Sequence, residues 1–148
     1  MIRKARTEDV KEIKFLIDFW AEKGQMLSRS LSEIYDCLRD YYIYEEKEKI
    51  LGVCAMHVCW EDLAEIRSLA VREGSIKKKI GKTLVGTCIS EKEVLGIHKI
   101  FVLTYQPEFF RKLGFKTVDR MILPHKVWAD CIKCTKFPDC DEIALVME

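Results

Sequence analysis

The sequence predicts a single α/β domain built on a mixed sheet of roughly six or seven strands, with helices on both faces. Three observations predict it. Segments with helical spacing of apolar residues alternate with β-rich segments along the chain. Residues 100–104 form a nearly continuous apolar run, which is typical of a strand buried on both faces. Residues 64–85 combine a strand, a lysine-rich turn and the start of a helix.

Length and composition describe one globular domain. A chain of 148 residues is long enough for one core, so we expect residues 1–148 to form a single domain. Hydrophobic residues make up 49% and charged residues 33%, as in globular proteins. The net charge of +1 argues against a dedicated nucleic-acid binder, and apolar runs such as residues 51–60 are too short to span a bilayer. We therefore expect neither a nucleic acid nor a membrane as partner.

Two further features favour a cytoplasmic location. Residues 1–6 lack the apolar core of a secretion signal. The seven cysteines are an odd number, and several lie in apolar segments, where reduced cysteine packs as a small hydrophobe. The cysteines in apolar segments are Cys37, Cys54, Cys59 and Cys88.

The N-terminus predicts a short strand and a helix. Residues 2–6 are predicted as the strand, and Thr7 as the N-cap of a helix that ends at Gly24. Glu8 and Asp9 fall in the first turn, where acidic residues favour the positive helix end. The apolar positions at helical spacing are Val10, Ile13, Leu16, Ile17 and Trp20.

A second helix and a β-hairpin follow. Either Ser30 or Ser32 can cap this helix. Residues 41–44 and 50–60 are β-rich, and the charged residues 45–49 between them predict a hairpin connection. The predicted apolar side of the second helix consists of Leu31, Ile34, Tyr35 and Leu38.

The C-terminal half continues the alternation of helices and strands. A third helix closes near Gly96, and Pro107 can occupy the first position of a short helix ending at Gly114. The last strands are predicted at residues 116–123 and 142–147. The apolar positions of the third helix are Ile80, Leu84, Cys88 and Ile89.

The strand predicted at residues 65–71 leads into a cationic turn at the start of the third helix. Amides at a helix start point outward without a partner, so they can cradle a pyrophosphate, and Gly81 permits close approach of the backbone to a ligand. A local cationic patch on a nearly neutral protein suits a small polyanion. The alternative is a solvated, lysine-rich helix start. The lysines concerned are Lys77, Lys78, Lys79 and Lys82.

Six segments, in this order, carry a family resemblance. They are M-L-S-R-S at 26–30, A-E-I-R-S-L-A-V at 64–71, F-V-L-T-Y at 101–105, F-F-R-K-L-G-F at 109–115, L-P-H-K-V-W at 123–128 and C-I-K-C-T-K-F-P-D-C-D-E at 131–142. The chain is thereby similar to the GNAT superfamily of N-acetyltransferases. Within that superfamily it resembles the short amino-acid N-acetyltransferases of the N-acetylglutamate synthase type.

The resemblance implies a GNAT fold with acetyl-CoA as cosubstrate. The superfamily's turn carries the pattern Gln/Arg-x-x-Gly-x-Gly/Ala and binds pyrophosphate through main-chain amides. Aligned on Gly81, this chain has Ile76 at the first position and Lys79 in place of the middle glycine. Binding is still expected because amides make most of the contacts, and Lys79 is expected to fit without a positive φ. The residues implied for cofactor binding are Leu69, Ala70, Val71, Lys77, Lys78, Lys79, Ile80, Gly81, Lys82 and Thr83.

The resemblance also implies the reaction. The amine of L-glutamate would attack the thioester directly in a ternary complex, and the product would enter arginine biosynthesis. An amino acid is mostly ammonium at neutral pH, so the amine must first lose a proton. Glu65 matches the family's general base; alternatively it forms an ion pair with Arg67, which points to the same face of the strand. The Leu69 backbone N–H is expected to hold the oxyanion.

For protonation of the leaving thiolate, the sequence offers two candidate donors, and a third possibility is that no acid is needed. Phe110 stands where many acetyltransferases carry a tyrosine acid, so that acid is absent. Thr104 matches a hydroxyl position of the synthase-like family, and Tyr105 is adjacent to it. The CoA thiol is also a good enough leaving group to need no acid.

Recognition of the two carboxylates of glutamate calls for cations with fork geometry. Arg29 matches the family's substrate arginine, and its alternative is a surface residue in a polar loop. Arg67 and Lys126 are further candidates for the same task.

A separate cysteine cluster has the spacing of metal ligands. Cys131 and Cys134 are followed by Cys140, and His125 precedes them. These side chains could close a structural, tetrahedral Zn²⁺ site. Because a second Cys-x2-Cys pair is missing, a reduced and partly packed loop is the alternative.

Two other functions stay open. The chain could acetylate another amine, such as a peptide N-terminus or a polyamine, although a polyamine site would need acidic residues rather than Arg29. It could also be a non-enzymatic acyl-CoA sensor, which the departures at Ile76, Lys79 and Phe110 favour slightly. The sequence also leaves open whether the chain forms a homodimer.

Overall fold

The structure is a computed structural model that describes residues 1–123 and 142–148, without the side chains of Lys77 and Lys78. Its described strands form one sheet in the order β1-β2-β3-β4-β5-β7-β6. The strands are β1 (Ile2–Lys4), β2 (Tyr41–Glu46), β3 (Lys49–Trp60), β4 (Leu63–Val71), β5 (Lys99–Thr104), β6 (Lys116–Val118) and β7 (Ile143–Met147). The helices are α1 (Val10–Glu22), α2 (Leu31–Asp36), α3 (Ile80–Leu95) and α4 (Pro107–Lys112).

The sheet is mixed, as the sequence predicts. Neighbouring strands pair antiparallel except for β4 and β5, which pair parallel. The last strand, β7, lies between β5 and β6, so it supplies the partner on which β6 depends. Among the described helices, none is long and apolar enough to cross a membrane.

Helices cover both faces of the sheet. On one face, α1 and α2 pack against β2, β3 and β4 around a core that includes Ile13, Ile17, Ile34, Val53 and Ala70. On the other face, α3 and α4 pack over a core that includes Ile66, Ile80, Leu84, Val102 and Phe110. Of the cysteines in apolar segments, Cys54, Cys59 and Cys88 are buried and Cys37 is half-buried, all as free thiols.

The first helix begins differently from the prediction. A 3-10 turn at Thr7–Asp9 precedes α1, and the Arg6 amide donates to Asp9 Oδ2 over 2.7 Å. Asp9 also accepts two hydrogen bonds from Arg3, over 2.7 and 2.9 Å. The expectation that Thr7 is the N-cap is therefore wrong, because the carboxylate fixed by Arg3 reaches back to the chain entering the turn.

The second helix is capped by Ser30. Its hydroxyl accepts from the Glu33 amide over 3.1 Å, and the Glu33 carboxylate accepts from the Ser30 amide over 3.1 Å. This reciprocal capping box decides between the two predicted serines. The predicted apolar side is wrong for Leu31 and Tyr35, which are 45% and 49% exposed, because this six-residue helix buries only Ile34 completely.

The turns follow the sequence signals closely. In the β2–β3 hairpin, Lys47 and Glu48 both have positive φ, which matches the twist of the two strands. Gly96 ends α3 and Gly114 follows α4, with φ of 73° and 103°. The strand predicted at residues 116–123 is shortened to β6, because the Asp119 side chain accepts from the Met121 amide and starts a 3-10 turn.

Two irregularities in β3–β4 pairing shape the centre of the sheet. The first inserts Cys59 into β3, and the second adds a residue to β4 between Arg67 and Ala70. Between them the register is shifted by one residue, so that His57 pairs with Glu65. The parallel pairing of β4 with β5 ends at Ile66–Val102, just before the bulge in β4. The two strands part at this point.

Candidate active site

A cavity of about 1210 Å³ opens where β4 and β5 part. Its volume exceeds the roughly 300–1,000 Å³ of most small-molecule sites, so it has room for two reactants. The walls come from the loop between α1 and α2, the turn after α2, strands β3, β4 and β5, and the starts of α3 and α4. Among the predicted site residues, those that line it are Arg29, Glu65, Arg67, Leu69, Val71, Lys79, Gly81, Lys82 and Thr104.

Glu65 and Arg67 form an ion pair on the cavity face of β4. Arg67 Nε and Nη2 donate to Glu65 Oε1 over 3.1 and 3.0 Å. Their side chains are only 12% and 11% exposed. The ion pair that their spacing predicted as an alternative is therefore present, and it holds a carboxylate and a guanidinium together on the cavity wall.

The bulge in β4 places a strained serine beside this pair. Ser68 has a φ of 57°, a left-handed conformation that L-residues other than glycine, asparagine and aspartate seldom adopt. Its side chain hydrogen-bonds with Tyr41, whose pKa is nevertheless raised by burial, so the phenol stays neutral. The next residue, Leu69, lines the cavity. A bulge removes one residue from regular ladder pairing, which suits a backbone amide meant for a ligand.

The start of α3 forms the far wall of the cavity. Lys79 precedes the helix with a φ of 59°, so the expectation that it would avoid a positive φ is wrong. The helix has no side-chain cap, and the amides of its first turn point outward. A Cβ on Gly81 would lie 3.4 Å from Phe109, so the backbone of this turn packs closely on α4.

Other residues of the predicted turn are placed differently. Ala70 and Ile80 are buried in the two cores, and Thr83 is exposed; none of these three lines the cavity. The Thr83 amide and hydroxyl both bond to the Lys79 carbonyl, which continues the helix. Lys77 and Lys78 lie in the 3-10 turn before α3, and their side chains lie outside the described part of the structure.

Arg29 projects from the loop between α1 and α2. Its Nη1 donates to Glu33 over 3.3 Å, and its side chain is 20% exposed. Its Nε is buried and has no hydrogen-bond partner. A buried, unsatisfied donor on a cationic group is costly, so an anion in the cavity would fit this position.

Cys37, Asp40 and His57 form a cluster that the sequence analysis missed. His57 Nδ1 lies 2.6 Å from Asp40 Oδ2, and the ligand atoms of the three side chains lie within 4.8 Å of one another. Burial, together with the charge of Asp40, raises the pKa of the Cys37 thiol. All three side chains line the cavity. The cross-strand pairing of His57 with Glu65, which depends on the β3 bulge, places this cluster beside the predicted site.

The two candidates for the general acid differ in their position relative to the cavity. Thr104 lines the cavity, and its Oγ1 accepts from the Gln106 amide over 2.9 Å. Tyr105 is half-buried and is not part of the lining. Phe110 is buried and packs edge-on against Phe115, so the position of the missing tyrosine is filled by an apolar ring. This placement favours Thr104 over Tyr105.

The predicted zinc ligands lie outside the described residues, and so does one candidate for substrate binding. They are His125, Cys131, Cys134, Cys140 and Lys126. The zinc site and the role of Lys126 stay predictions.

Comparison with known proteins places the chain among acetyltransferases. The family described as "Acetyltransferase (GNAT) domain" matches residues 38–117. An uncharacterized N-acetyltransferase of Chlorobaculum tepidum is 38% identical over 98% of this chain and 94% of its own. An amino-acid acetyltransferase of Mycobacterium tuberculosis is 34% identical over 80% of this chain and 70% of its own. An amino-acid acetyltransferase of Neisseria meningitidis is 30% identical, but this chain spans only 29% of it.

Solved structures give the same fold. The N-acetylglutamate synthase of Neisseria gonorrhoeae, complexed with coenzyme A and N-acetyl-glutamate, superposes with a TM-score of 0.91 and 26% identity. The match covers 99% of this chain and 34% of that protein. A Mycobacterium tuberculosis protein in complex with CoA and a second ligand superposes with a TM-score of 0.84 and 28% identity, over 99% and 98% of the two chains.

Proposed function

The chain belongs to the GNAT family of acetyltransferases and is an enzyme that uses acetyl-CoA, and we propose that its acceptor is the amine of L-glutamate. The relatives named amino-acid acetyltransferase support an amino acid as acceptor. The synthase of Neisseria gonorrhoeae, which was solved with N-acetyl-glutamate, supports glutamate among the amino acids. The product would then enter arginine biosynthesis.

One observation carries the choice of an anionic acceptor. Arg29 holds a buried Nε without a hydrogen-bond partner on the wall of the cavity. Its Glu33 partner satisfies only one end of the guanidinium, over 3.3 Å. A carboxylate of the acceptor would satisfy the remaining donors in the planar geometry that guanidinium groups favour.

The start of α3 would hold the pyrophosphate of acetyl-CoA. Its outward-pointing amides are uncapped, and the side chains of Lys79 and Lys82 line the same wall. A helix of sixteen residues directs the positive end of its dipole at this point. Because these contacts come from main-chain amides, the departures of the side chains at Ile76 and Lys79 from the family pattern would not remove them.

Glu65 would accept a proton from the acceptor ammonium, directly or through one water molecule. Its side chain is largely buried on the cavity wall, 3.0 Å from Arg67 Nη2, within reach of an amine in the cavity. The Leu69 amide, which follows the bulge, would face the carbonyl oxygen of the thioester as negative charge develops there. Thr104 would stand near the leaving sulfur as a hydroxyl donor.

Direct attack by the amine is favoured over a route through an acetylated cysteine. Among the described cysteines, Cys37 is the one that lines the cavity; it is half-buried, and its pKa is raised by burial and by Asp40. A thiol with a raised pKa is protonated at neutral pH and is a poor nucleophile. The proposal therefore needs both reactants in the cavity together, which its volume allows.

The test is thiol release from acetyl-CoA with a panel of acceptors. L-Glutamate should be turned over faster than L-aspartate, L-glutamine, spermidine or a short peptide. Equal or faster turnover of spermidine or the peptide would overturn glutamate as acceptor. Binding of acetyl-CoA without turnover of any amine would make the chain an acyl-CoA sensor.

Arg29→Lys tests the recognition step. Lysine keeps the charge but cannot offer a fork of donors, so the KM for glutamate should rise about ten- to a hundredfold, as for the loss of one charge-assisted hydrogen bond. The KM for acetyl-CoA should stay within about twofold. Arg39→Lys is the matched control, because Arg39 is exposed and lies outside the cavity lining. An unchanged KM for glutamate in Arg29→Lys would remove Arg29 from the acceptor site.

A further inference from the structure

Acetylation of an ammonium group requires more than one proton acceptor. The nitrogen carries three protons as ammonium and one as the product amide, so two must leave it. One of the two balances the CoA thiolate, which becomes a thiol, and the other passes to solvent. We propose that His57, held by Asp40, is a second proton acceptor in this site, beside Glu65; this inference rests on the proposed function.

The hydrogen bond to Asp40 sets the protonation pattern of the imidazole. His57 Nδ1 lies 2.6 Å from Asp40 Oδ2, and an ionised carboxylate can only accept. Nδ1 therefore carries the hydrogen, and Nε2 presents its lone pair. This arrangement of carboxylate, imidazole and substrate proton is the one in which histidine acts as a general base.

The sheet register places His57 beside Glu65. The two residues are a cross-strand pair on β3 and β4, so their side chains leave the same face of the sheet. Side chains of such pairs have Cβ atoms about 4.5–5.5 Å apart. Both side chains line the cavity, and His57 is 34% exposed. An amine that reaches Glu65 is therefore within about one water molecule of His57.

The surroundings hold the imidazole of His57 in one orientation. Asp40 lies at hydrogen-bond distance from Nδ1, so it can keep the ring in place while Nε2 exchanges a proton. Arg67, on the same face of the sheet, is paired with Glu65. Among the described residues, Cys37 shares the cluster and Tyr41 is buried on the same face of β2, and the pKa of each is raised. The charges of Arg29 and Asp36 also act on Cys37.

The step is a balanced proton transfer. The N–H bond of the acceptor breaks, its electron pair stays on nitrogen, and the proton bonds to Nε2 of His57. Asp40 keeps its hydrogen bond to Nδ1, and the imidazolium then returns the proton to water at the open side of the cavity. The proton taken up by Glu65 passes on to the CoA thiolate, which becomes the thiol. Asp40 acts through His57 and is a positioning residue, whereas His57 exchanges a proton with the substrate.

The experiment measures turnover of His57→Ala, His57→Gln and Asp40→Asn with the best acceptor of the panel. We expect kcat to fall about a hundredfold in both His57 variants, the lower end of the range for general acid–base catalysis, and about tenfold in Asp40→Asn. The KM for acetyl-CoA should stay within about twofold. Added imidazole should raise the kcat of His57→Ala at least tenfold and should leave the kcat of Glu65→Gln unchanged. His98→Gln is the matched control, because His98 is 85% exposed beside Asp62.

Several outcomes would overturn the proposal. Undiminished kcat in His57→Gln, or a loss that imidazole does not rescue in folded His57→Ala, would make the histidine structural. Loss of wild-type turnover on treatment with EDTA, reversed by Zn²⁺, would instead make Cys37, Asp40 and His57 a metal site. A panel without any turnover overturns this inference together with the proposed function. A changed KM in Arg29→Lys alongside normal kcat in His57→Gln would leave the proposed function standing and remove only this inference.

Discussion

Two residues on the cavity wall, Ser68 and Lys79, hold a backbone conformation that glycine adopts at little cost. Their φ angles are 57° and 59°. A left-handed conformation costs an L-residue about 1–2 kcal/mol, so the surrounding structure must stabilise both positions. Lys79 stands where the family pattern has glycine, and the backbone there keeps the shape a glycine would take.

Replacing Lys79 with glycine should therefore stabilise the protein. Removing the Cβ from a left-handed position relieves about 1 kcal/mol, which should raise Tm by roughly 2–4 °C in a domain of this size. Lys82→Gly is the control: it lies within α3, where glycine should lower stability by about 0.5–1 kcal/mol. Differential scanning calorimetry measures both. A Tm for Lys79→Gly at or below that of the wild type would show that Lys79 makes contacts that outweigh the strain.

Much of the candidate site was predicted from the family resemblance that short motifs carry. Arg29, Glu65, Arg67 and Thr104 were chosen from the sequence, and all of them line one cavity. His57 was missed because a regular hairpin around Glu61 and Asp62 would pair it with Ile66. In that register His57 would lie on the face of the sheet opposite to Glu65. The extra residue Cys59 shifts the register by one and brings His57 opposite Glu65. The position of a bulge depends on packing with residues distant in sequence, and no local sequence pattern predicted this one.

At the scale of elements, the position of α3 depends on a close approach to β3. A Cβ on Gly52 would lie 2.8 Å from Ile80 and 3.0 Å from Leu84. Both are completely buried, so neither side chain can move aside without disturbing the core. Gly52 thus lets the first turn of α3 press against the sheet, and this turn is the one proposed to hold the pyrophosphate.

Gly52→Ala should loosen that contact. We expect the free energy of unfolding to fall by about 1–3 kcal/mol, because overpacking a dense core forces side chains off their rotamers. The KM for acetyl-CoA should rise as the start of α3 shifts. Gly86→Ala on the same helix is the control, since nothing lies within 4 Å of its added Cβ, and it should be neutral or slightly stabilising. Urea unfolding measures the free energy of unfolding of both variants. Equal values would show that α3 can move away from β3 without loss of stability.

At the scale of the whole molecule, a charged network ties the N-terminus to the sheet. Arg3 on β1 bonds to Asp9 before α1 and to Glu45 on β2. The hydrogen bond from Arg3 lowers the pKa of Asp9, and Arg3 likewise lowers the pKa of Glu45. A carboxyl group whose folded pKa is lowered stabilises the fold above its unfolded pKa, and this contribution is lost as pH falls through the folded value.

Asp9→Asn tests this network. At pH 7 the substitution should cost roughly 2–3 kcal/mol, since Asp9 is 5% exposed and its loss leaves Arg3 with one partner fewer. The difference from the wild type should shrink as pH falls below about 4, because the carboxyl of the unfolded wild type then takes up a proton while the folded one is still held ionised by Arg3. Glu8→Gln, in the same turn but 71% exposed, should change stability by less than about 0.5 kcal/mol. A difference that is the same at pH 3 and pH 7 would contradict the charge-based account.

The overall architecture was accessible from sequence because each element carries its own local signal. Helix spacing, Pro107 and Gly114 around α4, and the charged hairpin between β2 and β3 all predicted the elements found. The order of strands in the sheet was not accessible in this way. The apolar run at residues 143–147 is typical of a buried strand, but nothing in it identifies β5 and β6 as its neighbours, because pairing between strands is a long-range property.

The central place of β7 has a consequence for biosynthesis on the ribosome. Strands β1 to β5 can pair in the order in which they are made, but among the described strands the one neighbour of β6 is β7, which is made after it. Within the described sheet, the edges of β5 and β6 therefore stay open until β7 has left the exit tunnel. Exposed strand edges invite association with other chains. The emergence of β7 thus closes this part of the sheet and ends an interval in which the nascent chain is prone to aggregate.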